Sequence, residues 1–478
     1  MFLCFFAYTN SLEIPFFAYL QPAMTEKNNK KTIWAWCMFD WANQSYNMVI
    51  TTTIFPFYYV YYTTWHNPNK DIVTFFGFKF VNTVLSNFVL GLAYLAIVLM
   101  LPILTSIADY KGNKKRHLQF FTWLGALSCA GLFWFKPVDH GIPHLELPLI
   151  FFALACIGYC GGFVFYNSYL PQIATEDKQD AISAKGFIYG YVGSLVVQMA
   201  CLAVVEEPTW FGIDPKNDSL PARITFLIVF VWWISFSIIP FRLLPKGEPN
   251  PGKHNYNVLT GGFKELGKVL QKVRTMPLLR RFLSSFFFYS VGVQTIMLVA
   301  AQFASKELHM SDDTLIEIIL IIYVVGVFGA AGISKLSEKF GNVRTLVWVV
   351  SIWTVLCLSV YFITTIPQFF VAAIIVGAVM GGVQAISRST YSKYLPPNIP
   401  DTASYFSFYD VTEKSAIVVG LLCFSFVEAI SHEMRIAALT LDLFFLIGLA
   451  LMISLFFAEK KKKQAQTGAY AEVVGSEN

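Results

Sequence analysis

The chain has 478 residues, of which 56% are hydrophobic and only 14% are charged, and its mean hydropathy is +0.56. This balance excludes an ordinary soluble domain. The net charge of +5 comes without a basic patch interleaved with stacking aromatics outside the apolar runs, which excludes nucleic acid as a partner. The eight cysteines have neither paired-loop nor metal-ligand spacing, so we expect no disulfide framework, metal site or cofactor.

Apolar runs long enough to cross a membrane recur along the chain. A helix of about 20 residues spans a hydrocarbon core about 30 Å thick, whereas a β-barrel shows short alternating segments. The sequence therefore predicts an all-α polytopic membrane protein with twelve transmembrane helices. We place them at residues 33–62, 82–106, 117–136, 148–170, 186–206, 222–244, 281–304, 315–335, 345–365, 367–391, 406–430 and 435–458.

The distribution of lysine and arginine predicts the orientation of these helices. Basic residues are retained on the cytoplasmic side, and twenty-seven of the 35 fall in one set of loops and tails while seven fall in the other. Both termini are thus expected in the cytoplasm. Within the N-terminal segment 1–32, residues 1–23 lack a basic n-region, and we interpret them as a misplaced start upstream of Met24. Residues 459–478 are expected to form a disordered cytoplasmic tail.

The longest polar stretch, residues 245–280, divides the chain into two six-helix parts. We expect an N-terminal half at 33–244 and a C-terminal half at 281–458. Inside the polar stretch, apolar residues such as Val269 recur with helical spacing while lysines such as Lys268 fall on the opposite face. This pattern predicts an amphipathic linker helix on the cytoplasmic membrane surface.

The loops after helices 2 and 8 repeat one pattern of an acid, a glycine and then basic residues. Asp109 aligns with Glu338, and Gly112 aligns with Gly341. The same register in both halves indicates duplication of a six-helix unit. Positive-inside charge alone would also place basic residues here, but it does not account for the shared acid and glycine.

This repeated loop resembles the signature cytoplasmic loop of the major facilitator superfamily. The resemblance implies two pseudo-symmetric six-helix halves, an acid that faces the N-terminus of a helix in the other half, and basic residues that lock an inner gate. The matching residues are Asp109, Gly112, Lys114 and Lys115 in the first copy and Glu338, Gly341 and Arg344 in the second. Thr105 and Ser334 stand where the superfamily loop begins with glycine, and Glu338 replaces an aspartate.

Helix 1 is unusually polar for a membrane span. Asp40, Asn43, Asn47 and Thr51 follow a spacing that aligns them along one helix face. Polar atoms in hydrocarbon need partners, so this stripe is expected to face the interior of the bundle. We interpret it as the lining of a substrate path, with interhelical hydrogen bonding as the alternative for the amides and the hydroxyl.

Helix 11 carries three charges within five residues, namely Asp410, Glu413 and Lys414. The spacing of Asp410 and Lys414 allows them to neutralise each other, and the similar depths of Asp40 and Lys414 would allow a bridge between them across the bundle. We expect this cluster to serve coupling or gating. Further polar candidates inside the membrane are Tyr166, Asn167, Gln198, Gln294, Gln384 and Arg388. For Arg388 we favour snorkelling to the headgroups over binding of a carboxylate.

The string Asp40-Trp-Ala-Asn-Gln-Ser-Tyr-Asn47 followed by Thr52-Thr-Ile-Phe-Pro56 resembles the first helix of the vacuole-effluxer-like branch, also called the unidentified major facilitator family. Supporting stretches are Pro102–Asp109, Tyr289–Thr295 and Gln384–Tyr391. Many members of that branch carry an acid where this chain has Val291, while Gln294 is retained. The fungal members are associated with efflux of amino acids from the vacuole, which the resemblance implies as a substrate class.

These patterns and the resemblance together favour a secondary active transporter that works by alternating access, is coupled to an ion, namely the proton, and moves a small solute such as an amino acid, as an exporter. The alternatives are a translocator of lipid or lysolipid on the same fold and a membrane scaffold or sensor that transports nothing. No loop is long enough for an enzyme domain and no nucleotide-binding glycine motif is present. We expect a monomer surrounded by lipid in a bacterial inner membrane.

Overall fold

The computed structural model describes residues 27–64, 72–136, 144–214, 217–246, 258–396, 402–431 and 433–476. The predicted misplaced start at 1–23 lies outside these ranges. The helices are α1 (Lys30–Ser45), α2 (Ile54–Thr64), α3 (Asn82–Lys111), α4 (Lys114–Gly131), α5 (Glu146–Asn167), α6 (Leu170–Ile173), α7 (Gln179–Glu206), α8 (Leu220–Leu243), α9 (Val258–Thr275), α10 (Pro277–Leu308), α11 (Asp312–Phe340), α12 (Asn342–Val360), α13 (Ile366–Tyr394), α14 (Thr402–Ser431) and α15 (Met434–Ser476). Single 3₁₀ turns lie at Leu132–Trp134, Glu176–Lys178 and Pro208–Phe211.

Each of the twelve predicted spans coincides with a helical segment. Within the described residues, nine helices are long and apolar enough to cross a membrane, namely α3, α5, α7, α8, α10, α11, α12, α13 and α15. The other three predicted spans are helical but more polar: the α1–α2 segment carries the stripe led by Asp40, α4 begins with three basic residues, and α14 holds the charged cluster around Asp410. The structure is therefore the all-α architecture that the sequence predicts.

The first span is broken rather than continuous, which corrects the single helix predicted at 33–62. A π-helical turn, Tyr46–Thr52, follows α1, and Thr53 leaves helical geometry before α2 begins. The hydroxyl of Thr52 donates to the carbonyl of Asn47 at 2.8 Å, and that of Thr53 donates to the carbonyl of Met48 at 2.7 Å. These hydroxyls satisfy carbonyl groups at the break, as a break inside hydrocarbon requires.

A short antiparallel hairpin follows the first span, in a loop for which no strand was predicted. Strand β1 (Ile72–Phe75) pairs with β2 (Phe78–Val81). The two turn residues, Phe76 and Gly77, both have positive φ angles, 47° and 83°. Positive φ at both turn positions matches the right-handed twist of paired strands.

Small residues set how closely the helices pack. Since lipid tails are as apolar as leucine, helices in a membrane associate through close packing and not through the hydrophobic effect. A Cβ atom on Gly158 of α5 would lie 2.4 Å from the Cα of Gly125 on α4, and one on Gly329 of α11 would lie 2.2 Å from the carbonyl oxygen of Ala378 on α13. Large aromatic side chains such as Trp353 fill the wider spaces.

The linker contains a helix, as predicted, whereas the C-terminal tail differs from its prediction. Helix α9 lies within the predicted linker, with Val269 and Val273 buried and Lys272 exposed. The tail is not disordered as predicted, because α15 continues to Ser476. Its lysines, glutamines and alanines are strong helix formers, and extending an existing helix avoids the cost of nucleating a new one.

Candidate functional site

The first repeated loop connects the two halves through Asp109, which is buried near the end of α3. Its carboxylate accepts hydrogen bonds from the backbone N–H groups of Ala403 at 3.3 Å and Ser404 at 2.7 Å, and from the Ser404 hydroxyl at 2.7 Å. These N–H groups belong to the first turn of α14, where helical partners are missing. A carboxylate there is also stabilised by the helix dipole, so the contact favours the arrangement in which the halves touch.

Gly112, Lys114 and Lys115, which were predicted with Asp109 in the first repeated loop, have different roles in the structure. Gly112 has a φ angle of 61°, which lets α3 end and the chain turn into α4. The buried ammonium of Lys114 lies 3.0 Å from the hydroxyl of Thr402, at the start of α14. The ammonium of Lys115 instead donates to the carbonyl of Leu244 at 2.7 Å, within the first half. Lys114 therefore joins the halves, whereas Lys115 anchors the loop.

The second repeated loop works through residues other than its predicted acid. Glu338 is exposed and forms no hydrogen bond or ion pair with any described residue. Asp180, in the first turn of α7, is buried and makes the contact between the halves here instead. It accepts a hydrogen bond from the amide of Asn342 at 2.7 Å, and the ammonium of Lys393 lies 2.6 Å from it. The expected equivalence of Glu338 with Asp109 does not hold in these contacts.

The other two residues predicted in the second loop have supporting positions. Gly341 has a φ angle of 88° and separates α11 from α12, which places Asn342 next to the first half. The guanidinium of Arg344 lies 5.4 Å from the centre of the Phe456 ring on α15. Arg344 thus packs within the second half and does not cross to the first.

A buried charge network joins the two halves near these loop contacts. The carboxylate of Asp40 accepts a hydrogen bond from the hydroxyl of Tyr166, and its Oδ2 lies 3.8 Å from a guanidinium nitrogen of Arg388. Arg388 also donates to the hydroxyl of Ser183 at 2.9 Å, to the Ser183 carbonyl at 2.8 Å and to the side-chain oxygen of Asn167 at 3.2 Å. The network therefore joins α1, α5 and α7 of the first half to α13 of the second.

The position of Arg388 corrects the snorkelling that the sequence favoured. Its side chain is 2% exposed and lies among the rings of Trp36, Tyr166 and Phe187, with centroid distances of 4.8, 5.4 and 4.5 Å. Because α13 continues for six residues beyond Arg388, the guanidinium starts about 9 Å inside the helix end. Aromatic faces and a carboxylate replace the headgroups as its partners.

Asp410 of α14 extends the network but leaves part of its charge without a protein partner. Its Oδ1 lies 3.5 Å from the amide nitrogen of Asn167. The second oxygen of Asp410 and the Oδ1 of Asp40 are buried and have no hydrogen-bond partner among the described residues. Asp40 thus pairs with the guanidinium of Arg388, Asp410 is linked to that guanidinium through Asn167, and each carboxylate has one oxygen available to a proton, water or solute.

Glycines on α7 allow the helix that carries Asp40 to approach closely. A Cβ atom on Gly186 would lie 2.6 Å from the Oδ2 of Asp40, and one on Gly193 would lie 2.5 Å from the carbonyl oxygen of Trp41. Gly190 lies between them on the same helix face, since the spacing of four and three residues returns to one side. Side chains at these positions would separate α7 from α1 and open the network.

A second polar layer, farther from the gates, is more accessible. Glu413 and Lys414 are neighbours on α14 and form an ion pair of 2.6 Å, with 15% and 13% exposure. The amide of Gln294 on α10 donates to Glu413 at 3.1 Å. The structure therefore pairs Lys414 with Glu413, and neither the predicted pair with Asp410 nor the bridge to Asp40 is formed.

The remaining predicted residues lie inside the bundle and differ in whether their polar side-chain atoms form hydrogen bonds. The amide of Asn47 donates to the hydroxyl of Tyr323 on α11 at 3.3 Å, which joins the halves again. Asn43 is buried with both polar side-chain atoms lacking a partner among the described residues, and the Thr51 hydroxyl is in the same condition. Gln384 is half-buried and forms no hydrogen bond within the described part. The stripe on the first span, which begins on α1 and continues into the π-helical turn, is thus only partly used for interhelical bonding.

A comparison with family models identifies the chain. Residues 28–466 match the family described as vacuole effluxer Atg22 like. The chain belongs to that family. An uncharacterized MFS-type transporter of Bacillus subtilis, YxiO, is 29% identical over 425 residues, which are 87% of this chain and 93% of the relative. Autophagy-related protein 22 of Kluyveromyces lactis is 27% identical and covers 84% of this chain and 85% of its own length.

Solved structures place this Atg22-like protein in the major facilitator fold. The transporter FucP in the outward conformation superposes with a TM-score of 0.64 at 14% identity, covering 88% of this chain and 98% of FucP. The human organic anion transporter MFSD10 also gives a TM-score of 0.64, at 11% identity, with the same coverages. The protein is therefore an integral, multi-pass transporter of the major facilitator superfamily.

Asp180 and Ser183 of this Atg22-like protein make contacts that were not predicted from the sequence. Asp180 was assigned to a loop because helix 5 was predicted to begin at residue 186, whereas α7 begins at Gln179. An acid in the first turn of a helix is stabilised by the helix dipole. Predicting the start of the helix at residue 179 would have placed Asp180 in such a turn. Ser183 gave no signal, since a serine on a helix is usually a packing residue.

Proposed function

We propose that the protein is a proton-coupled secondary transporter that moves a small solute with an amino group, such as an amino acid, and that it works as an exporter by alternating access. The observation that carries the proposal is the buried network across the two halves, in which Arg388 pairs with Asp40 and is linked to Asp410 through Asn167. The network depends on the halves being in contact, so it is coupled to the state of the gates.

Counting charges in this network supports proton coupling. Two carboxylates and one guanidinium leave one negative charge without a partner, while the neighbouring pair Glu413 and Lys414 is neutral by itself. An uncompensated charge in a low-dielectric interior costs several kcal/mol. One proton on Asp40 or Asp410 removes that cost. The ammonium group of a solute does the same, so proton and solute compete for one site.

Such competition is the basis of exchange. When a proton enters from one side and neutralises the carboxylates, it weakens the hold on the solute's amino group and releases the solute. The more accessible layer offers complementary chemistry, because Lys414 can contact a solute carboxylate and Glu413 or Gln294 can contact its amino group. A zwitterionic solute fits this arrangement of charges.

We further propose that the gate loops face the cytoplasm. The bias of lysine and arginine toward this end of the bundle supports that orientation. In the conformation described, the contacts of Asp109 and Asp180 close the gate-loop end. The conformation would then be the outward-facing one, with the cytoplasmic halves closed and both termini inside. We propose that one chain suffices for transport, since each half supplies part of the network.

The test begins with a ligand and continues with coupling. A metabolite library is screened by thermal shift on the purified full chain, because a ligand that binds only the folded state raises the melting temperature. The best ligand is then followed in proteoliposomes containing a pH-sensitive dye. We expect solute exchange to move protons in the parent, and Asp40→Asn and Asp410→Asn to abolish proton movement.

Asp442→Asn is the matched control, since Asp442 is an intramembrane acid on α15 that takes no part in the network. It should keep the pH dependence of the parent. If Asp40→Asn and Asp410→Asn transport the solute with the parent's pH dependence, proton coupling through this network is wrong. Movement of fluorescent lysolipid without any stabilisation by amino acids would replace the proposal with a lipid translocator.

A further inference from the structure

A groove on the outside of the bundle lies at the gate-loop end, between the linker helix α9, α10 and α14. It encloses about 450 Å³. One part of its wall carries the side chains of Arg274 on α9 and Arg280 on α10, and the deeper part is formed by apolar and aromatic residues that include Phe287 and Phe408. The groove is separate from the buried network, which is enclosed by the helices.

The two arginines of the groove are available for a ligand. Arg274 and Arg280 are exposed, and neither side chain forms a hydrogen bond or ion pair with any described residue. The neighbouring Arg281 differs, because its guanidinium is directed at the carbonyl of Ser454. A guanidinium fork matches the oxygens of a phosphate. Positive charge at the level of the headgroups also attracts anionic lipid.

The order of polarity along α10 matches the order of groups in a phospholipid. Arg280 comes first, Ser284 lies one turn deeper, and Phe287 lies about 10 Å deeper than Arg280 by helical rise. A phosphate, a glycerol ester and an acyl chain follow each other with the same sequence and a similar spacing. An acyl chain suits the far end of the groove better than a soluble peptide does, because aromatic side chains such as Phe287 and Phe408 line it.

We propose that this groove binds one anionic phospholipid of the surrounding leaflet, with the phosphate on Arg274 and Arg280 and an acyl chain against Phe287 and Phe408. The bound lipid would hold α9, which joins the two halves, against α14. Helix α14 supplies both the N-terminal turn that Asp109 caps and the carboxylate of Asp410. Lipid in this groove therefore stabilises the conformation with the gate-loop end closed.

The first test uses the unmodified full chain in neutral detergent. Phosphatidylglycerol, phosphatidylcholine and inorganic phosphate are added separately, and binding is measured by native mass spectrometry and thermal shift. We expect a one-to-one complex and a higher melting temperature with phosphatidylglycerol only. Equal binding of phosphatidylcholine, or an equal effect of inorganic phosphate, would overturn the proposal because charge and acyl chain would not both be required.

The second test removes each half of the site. Arg274→Ala with Arg280→Ala should weaken phosphatidylglycerol binding by about thirtyfold, from about 1 kcal/mol per basic residue. Ser284→Trp fills the groove without changing the charge and should weaken binding as well. Lys460→Ala with Lys461→Ala is the control, since it removes the same charge from exposed positions on α15 and should bind like the parent. Parent-like binding by both groove variants contradicts the proposal, and so does an equal loss in the control.

Discussion

Replacing Asp109 by asparagine tests whether the first repeated loop holds the gate closed. The carboxylate accepts three hydrogen bonds from the first turn of α14. Hydrogen bonds to a charged group contribute about 1.5–3 kcal/mol each and neutral ones about 1 kcal/mol, and the helix dipole adds up to about 2 kcal/mol. Asparagine keeps one acceptor oxygen, so we expect the closed state to lose about 2–3 kcal/mol. The open fraction should rise about 30- to 140-fold.

Hydrogen exchange measures this change directly, because the backbone amides of Ala403 and Ser404 donate to the carboxylate of Asp109. In Asp109→Asn, the peptide that contains them should exchange faster by the same factor while the core of α14 is unchanged. Glu338→Gln is the matched control, since this acid occupies the same place in the second loop but forms no hydrogen bond or ion pair with a described residue. The reasoning is refuted if Asp109→Asn exchanges like the parent, or if Glu338→Gln accelerates the same peptide equally.

Three further predictions concern the second gate, the buried network and the helix packing. Asp180→Asn should accelerate exchange at the start of α12 by about tenfold, because the carboxylate charge that binds Asn342 and pairs with Lys393 is lost. Arg388→Ala should destabilise the protein by about 3–5 kcal/mol through unpaired buried carboxylates, and adding Asp40→Asn should restore part of the melting temperature; no restoration would argue against the pairing. Gly158→Ala should cost about 1–3 kcal/mol by overpacking against α4, whereas Gly332→Ala, with open space around its Cβ position, should change the melting temperature little.

Asp109 contacts the first turn of α14, and Asp410 lies farther along the same helix. Asp109 and Asp180 each place a carboxylate of the first half against a helix of the second half. Asp410 lies on α14 about 12 Å from the helix start that Asp109 caps, by helical rise. A change of charge at Asp410 would therefore act on the helix whose first turn contacts Asp109. We infer that protonation and gate opening are linked through α14.

Features that depend on local pattern were predictable from the sequence. Composition fixed the membrane class, and apolar runs located the twelve spans, because a helix must satisfy its backbone within each run. The linker helix followed from its 3.6-residue period. The resemblance of the first loop to the signature loop of the superfamily predicted that Asp109 faces the N-terminus of a helix in the other half, and Asp109 does contact the first turn of α14. The polar stripe that begins at Asp40 was likewise predictable from its spacing, although Asn47 and Thr51 lie in the π-helical turn after α1.

Only the tertiary structure decided which of these charges meet. Arg388 was expected at the headgroups, and its burial depends on α13 continuing past it and on the aromatic faces that other helices bring to it. Glu338 and Asp180 could not be ranked from sequence, because their roles depend on which helix of the other half lies opposite. Likewise, the sequence could not show that Lys414 forms its ion pair with Glu413 and not with Asp410. Periodicity gives the face and depth of a residue along its own helix, whereas its partner is set by how the helices pack.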